Sequence, residues 1–226
     1  MAEYEIDGLR LEVPEALLND RIRAKLASGG YEADEAQAAA MRLRPRQRVL
    51  ELGAGIGYVA SVCARIAGPE NVTTVEANPL MLPVIRANLE RNGLGAVTLV
   101  HGAVGGMAGG AAPLALDRGR SFWAARIADE GAAPGTLVEV PHLGLGDLLG
   151  RTRADVVIMD IEGAEEHLFD APWPAHVRHV MMELHPGRYP DTAIKRIVDC
   201  MSESGLTYDP GPSRGRILCF RRLRGR

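Results

Sequence analysis

The run Glu51-Leu52-Gly53-Ala54-Gly55-Ile56-Gly57 sets three glycines between an apolar stretch, Val49-Leu50, and a second one that opens at Tyr58-Val59-Ala60. Glycines in a strand-to-helix turn allow backbone dihedrals closed to other residues and let a ligand approach the main chain. A dinucleotide turn spaces them G-x-G-x-x-G, which would need glycine at position 58, where Tyr58 stands. Glu51, two residues before the first glycine, would repel a pyrophosphate but suits the cationic amino-acid end of S-adenosylmethionine. Spacing and charge together favour a sulfonium cofactor over a nicotinamide one.

Other acids and a histidine fall at strand-like ends. Val72-Thr73-Thr74-Val75 runs into Glu76-Ala77-Asn78-Pro79, where a carboxylate can accept both ribose hydroxyls; the plainer role is an acid favoured at a helix start. His101-Gly102-Ala103 follow the next apolar stretch and are expected to flank the adenine. Asp160-Ile161-Glu162-Gly163 closes another, bringing Asp160 and Glu162 to the same cleft, whereas Glu165 and Glu166 read as acids at a helix N-terminus. Glu183 and His185 share one side of a further strand by its two-residue period. An alcohol acceptor needs a base, and His185, with an ordinary pKa of about 6.5, is the natural candidate. The expected catalytic set is His185, Glu162 and Asp160. The site is expected to be metal-free, with Mg²⁺ or Mn²⁺ held by Asp160, Glu162, Glu183 and His185 as the rival.

These motifs resemble the class I S-adenosylmethionine-dependent methyltransferases. The finer resemblance is to the FkbM family, carried by Tyr31-Glu32, the 51–58 turn, Glu76-Ala77-Asn78-Pro79, Met159-Asp160-Ile161-Glu162-Gly163-Ala164-Glu165 and Glu183-Leu184-His185-Pro186. Family members commonly carry Asp where Glu51 stands and Asn where Ala54 stands, and their Leu-Asp-Asp-Leu-Leu element is here Leu145-Gly146-Asp147-Leu148-Leu149. The resemblance implies cofactor contacts from Tyr31, Glu32, Glu51, Gly53, Ala54, Gly55, Glu76, Ala77, His101, Gly102, Ala103 and Asp160, with S-adenosylhomocysteine as product. It also implies O-methylation of a hydroxyl on a small metabolite, sugar or polyketide-like acceptor. The alternative is a catalytically inactive S-adenosylmethionine-binding protein acting as a partner or scaffold.

Positioning such residues takes strands that alternate with helices. Apolar runs at 48–52, 72–75, 97–100, 154–159 and 177–184 alternate with helical spacing at 57–67, 79–92, 164–169 and 191–204, a βαβ pattern. This predicts a Rossmann-like α/β core over 46–226, built on a mostly parallel seven-stranded sheet with the antiparallel strand 215–220 at its edge. Residues 1–45 are expected to form a cap: a hairpin turning at Asp7-Gly8, then helices over 15–27 and 33–43. A Gly- and Ala-rich excursion at 103–140 interrupts the rhythm, with a hairpin near 121–126 and 136–140 and Trp123 as a substrate wall or its anchor.

A chain of 226 residues fits one compact domain, and a net charge of -3 singles out neither nucleic acid nor a membrane surface. The expected partner is a small-molecule hydroxyl acceptor, with a homodimer possible and no nucleic acid. No apolar run approaches the ~18 residues of a membrane span, and Met1-Ala2-Glu3-Tyr4-Glu5 lacks the basic start of a secretory signal, so a cytoplasmic location is expected. Cys63, Cys200 and Cys219 sit far apart in apolar runs and read as buried thiols. The arginine-rich tail 221–226 reads as a solvated terminus.

Overall fold

The computed structural model describes residues 1–117, 126–128 and 137–223. Strands β1 (Ala2–Ile6) and β2 (Leu9–Val13) form the expected hairpin, with Asp7 and Gly8 at φ 52° and 70°. Two successive positive φ angles match a turn to the right-handed twist of its strands. Helix α1 (Asp20–Ala27) starts later than its spacing suggested, because Asn19 caps it by accepting from the Ile22 amide at 2.9 Å. Helix α2 (Ala33–Arg42) follows.

The core runs β3 (Val49–Leu52), α3 (Tyr58–Ala67), β4 (Val72–Glu76), α4 (Leu82–Arg91), β5 (Thr98–His101), β6 (Ala103–Gly106), β7 (Leu114–Asp117), β8 (Arg126–Ile127), β9 (Leu137–Val140), β10 (His142–Gly144), α5 (Leu145–Thr152), β11 (Val156–Met159), β12 (His179–Glu183), α6 (Asp191–Glu203), β13 (Leu206–Tyr208) and β14 (Ile217–Arg222). Seven strands make one sheet in the order β5-β4-β3-β11-β12-β14-β13. All pairs from β5 to β12 are parallel, and β14 runs antiparallel to both of its neighbours.

The antiparallel strand is therefore not at the edge as expected. It is covered by β13, three residues whose run is too short for its alternation to be read. The helix expected at 164–169 is a single 3₁₀ turn, Ala164–His167, and α5 was not anticipated as a helix. Within the excursion, β6 pairs with β10 and β9 with β7. Residues 121–125, Trp123 among them, and the tail beyond 223 lie outside the described residues.

Sheet alternation divides the interior in two. Val49, Ile158 and Met181 face a core shared with α1 to α4, whereas Leu50, Leu52, Val157 and Met182 face one shared with α5 and α6. Ile6, Leu9, Leu11 and Val13 of the hairpin belong to the first core, so the cap packs as part of the main domain. Asn88 of α4 fixes this join. Its carboxamide accepts from the Glu12 amide at 2.8 Å and donates to the Ile56 carbonyl at 3.0 Å, tying the hairpin to the glycine turn.

Candidate functional site

Strands β3 and β11 are neighbours whose following connections leave in opposite directions, β3 toward β4 and β11 toward β12. A crevice opens outside the carboxyl ends of strands at such a switch point. Here it is a partly open cavity at the carboxyl ends of β3, β4 and β11. Gly53 and Gly55 form its floor, Glu76 and Ala77 close the end of β4, Gly102 and Ala103 follow β5, and Asp160 follows β11. Tyr31 and Glu32 reach it from the loop before α2.

The turn needs its glycines for contact as well as for conformation. Gly53 has φ +91°, and a Cβ there would lie 1.9 Å from the Asp160 carbonyl oxygen. At Gly55, φ +55°, a Cβ would lie 2.7 Å from the Tyr31 hydroxyl and 2.8 Å from a Glu32 carboxylate oxygen. Tyr31 is 3 % exposed, and its hydroxyl has no hydrogen-bond partner among the described residues. Glu32 holds a left-handed backbone, φ 46°, and burial raises its carboxyl well above the ordinary range.

Glu76 accepts from the Asn78 amide at 2.7 Å and from the Gly55 amide at 3.2 Å, yet burial still pushes its pKa up to about 7. Glu51 does not line the cavity. Alternation sends it with Val49 to the face under α3, where it is 2 % exposed, accepts from the Thr74 hydroxyl and is pushed by burial up to about 8. Ala54 and His101 are likewise absent from the cavity wall, Ala54 because it is wholly buried beneath the turn. Sequence reasoning missed the opposite wall, Val104, Leu116 and Ile127, contributed by the strands of the excursion.

A second and more polar cleft, about 600 Å³, shares Tyr31, Glu32, Asp160 and Glu162 with the first. Glu183 and His185 line it, with Glu35, Lys25 of α1, Arg188 and Arg216 around them. His185 is buried, with Nε2 3.5 Å from Asp160 Oδ1 and 3.7 Å from Glu162 Oε2, and Nδ1 3.3 Å from Glu165 Oε1. Burial alone would lower its pKa, but Glu165, then Glu162 and Glu183, outweigh that and raise it. The surrounding carboxylates thus favour the charged imidazole over the neutral form that a base requires. Burial, with Glu183 and Glu162 next, raises Asp160 well above its ordinary value.

Two supporting residues carry no sequence signal of their role. Glu165 is fully buried and accepts from the Ile161 amide at 2.9 Å and the Gly163 amide at 2.8 Å. It is the anchor of the 161–163 loop, not only an acid near a helix start, and it holds Glu162 at φ 55° and Gly163 at φ 109°. The Tyr189 hydroxyl accepts from the His185 amide at 2.8 Å. Glu162 also meets Arg188 at 3.6 Å, and Glu183 is paired with Arg216.

Strand order, switch-point cavity and glycine turn define the class by architecture: the chain has a Rossmann-like α/β fold of the class I methyltransferase type. Residues 33–114 match the family model of protein-L-isoaspartate(D-aspartate) O-methyltransferases. A protein-L-isoaspartate O-methyltransferase of Methanococcoides burtonii is 42% identical over 62 residues, 27% of this chain and 30% of that protein. One of Methanothermobacter thermautotrophicus is 39% identical over 66 residues, 29% of this chain and 30% of its own length. The chain thus spans under a third of the curated relatives it matches. Among solved structures, a precorrin-6y C5,15-methyltransferase of Geobacter metallireducens aligns with TM-score 0.48 and 15% identity, over 93% of this chain and 91% of that one.

These matches correct the acceptor. The expected hydroxyl of a small metabolite, with the inactive scaffold as its alternative, came from the FkbM resemblance, whose motifs at 31–32, 159–165 and 183–186 lie outside the matched 33–114; the relatives are named protein-L-isoaspartate O-methyltransferases. The FkbM family is not what this match shows. No helix among the described residues is long and apolar enough to cross a membrane.

Proposed function

We propose that this chain transfers the methyl group of S-adenosylmethionine to a carboxylate of a protein or peptide, of the isoaspartyl kind for which its relatives are named. The observation that carries the reading is the match over 33–114, which takes in the glycine turn and the residues after β4 and β5. The FkbM resemblance stands beside it, carried by Tyr31-Glu32, the 51–58 turn, Glu76 to Pro79, Met159 to Glu165 and Glu183 to Pro186.

In this reading Glu76 takes the ribose hydroxyls, and Gly102, Ala103, Leu116 and Ile127 wall the adenine. Tyr31, Glu32 and the turn receive the amino-acid end, whose ammonium suits the buried carboxyl of Glu32. The methyl then points toward Asp160 and Glu162, where the two openings meet, and the acceptor enters through the second cleft. A carboxylate arrives already ionised near neutral pH, so the transfer asks no side chain to remove a proton. His185, Asp160 and Glu162 then serve to place the acceptor.

The test is transfer of labelled methyl to an isoaspartyl peptide, with the matching aspartyl peptide as control. A methyl ester is expected, recognised by release of methanol in mild base. A base-stable product, or no transfer to any carboxylate-bearing peptide or protein, would overturn the proposal.

A further inference from the structure

The acceptor end of the site has an electrostatic problem. Asp160, Glu162, Glu183 and Glu35 converge there, and a carboxylate acceptor would add one more negative charge. Arg188 and Arg216 offset only part of this, since each already faces a carboxylate, Glu162 and Glu183 respectively.

We propose that Asp160, Glu162 and His185 form a binding site for one hard divalent cation of the Mg²⁺ or Mn²⁺ kind. Their candidate ligand atoms all lie within 4.8 Å of one another, and those of Glu35, Asp160 and Glu183 form an adjoining group that shares Asp160. For metal–ligand bonds of about 2.1 Å, octahedral neighbours are about 3.0 Å apart and opposed ligands about 4.2 Å. The separations from His185 Nε2, 3.5 Å to Asp160 and 3.7 Å to Glu162, fall between these limits. Two oxygens with one imidazole is a donor set that Mn²⁺ accepts readily.

A cluster of acids alone would not justify an ion, and the further observation is the histidine. The His185 side chain is 7% exposed, points its Nε2 at the two carboxylates, and turns its Nδ1 away from them toward Glu165. Asp160 Oδ1, the atom it faces, is also buried and without a hydrogen-bond partner among the described residues. Behind the ring, Glu165 lies 3.3 Å from Nδ1. A carboxylate at one nitrogen of a histidine fixes the tautomer that offers the other nitrogen's lone pair to a metal. Glu165 is therefore a positioning residue for the ion, and Glu162 is aimed at it by the left-handed backbone that Glu165 anchors. The use of the ion, to neutralise the floor and hold the acceptor carboxylate, rests on the proposed function; the site itself does not.

The test is titration of the whole chain with Mn²⁺, without cofactor or acceptor, following the free-ion resonance signal and the broadening of histidine ring signals by bound Mn²⁺. One ion per chain is expected, with His185 broadened among the six histidines. Asp160→Asn should weaken binding by at least tenfold, and Glu165→Gln by about 10–100-fold. Absence of binding at millimolar Mn²⁺, or binding that leaves His185 sharp, overturns the site using the unmodified protein, so a variant that fails to fold does not decide it. Undiminished binding in folded Asp160→Asn overturns it as well. If Mn²⁺ binds but no carboxylate is methylated, the site survives and the acceptor reading fails; methylation that persists without any metal binding is the reverse.

Discussion

Replacing Glu51 with Gln should make the free protein more resistant to alkaline pH. Glu51 is 2 % exposed beneath the glycine turn, and burial pushes its pKa up to about 8, against an ordinary carboxyl value of about 4.5. Because the folded value is the higher one, the group's contribution is fully present below the unfolded pKa and is lost as pH rises through the folded one. A tenfold change in proton affinity is about 1.4 kcal/mol, so ionising this carboxyl in place opposes folding by on the order of 3–5 kcal/mol by pH 9. Glutamine keeps the shape and can still accept from the Thr74 hydroxyl, but it has no charge to bury. Part of this is already lost at pH 6, which lies above the unfolded value, leaving about 2.7 kcal/mol between pH 6 and pH 9; for a chain of this size, where 1 kcal/mol shifts the melting temperature by about 2–4 °C, the variant should gain roughly 5–11 °C on wild type over that range. Thermal unfolding without cofactor across that range is the assay. Glu76, with its pKa up to about 7, titrates in both proteins, and its repulsion of Glu51 is removed along with the Glu51 charge in the variant. A variant that melts in parallel with wild type at every pH, or that loses ground at pH 9, refutes the reasoning.

Two further outcomes follow from contacts already described. Gly55→Ala should cost about 1–2 kcal/mol for a side chain at positive φ and, by displacing Tyr31 and Glu32, weaken S-adenosylmethionine binding by at least tenfold in a calorimetric titration; unchanged affinity would separate the turn from the cofactor. Arg42 pairs in bidentate fashion with the buried Asp209, at 2.6 and 2.7 Å, and holds that carboxyl below its usual range, so the pair's contribution is present above the unfolded pKa near 3.8 and fades as pH falls. Arg42→Leu should therefore destabilise the protein by about 3–5 kcal/mol at neutral pH, with the deficit shrinking toward pH 3, as denaturant unfolding at two pH values would show.

What could be read from the sequence was what depends on local pattern. The strand ends at Glu76, Asp160 and Glu183 each follow an apolar run, and the glycine turn needs dihedrals that few residues reach, so both could be located before any coordinates. Tyr31, Glu32, Gly53, Gly55, Glu76, Ala77, Gly102, Ala103 and Asp160 do meet around one cavity. The burial of Glu51 depends on which face of β3 lies under α3, a long-range fact that a motif does not encode. Leu116 and Ile127 reach the cavity through a small sheet inside the Gly- and Ala-rich excursion, whose composition does not say which of its residues turn inward. The loop-anchoring role of Glu165 could not be separated from a helix-start acid, since both ask only for a carboxylate at that position.

The carboxamide of Asn88 joins Glu12 of the hairpin to Ile56 of the glycine turn, and so the first strands of the chain act as a brace on the cofactor site from outside it. Anything that pulls on that brace, whether a fused domain, a binding protein laid along β1, or cleavage near Val13, is transmitted to the turn as a change in how firmly it is held. The hairpin is thus held to the glycine turn through a single carboxamide of α4.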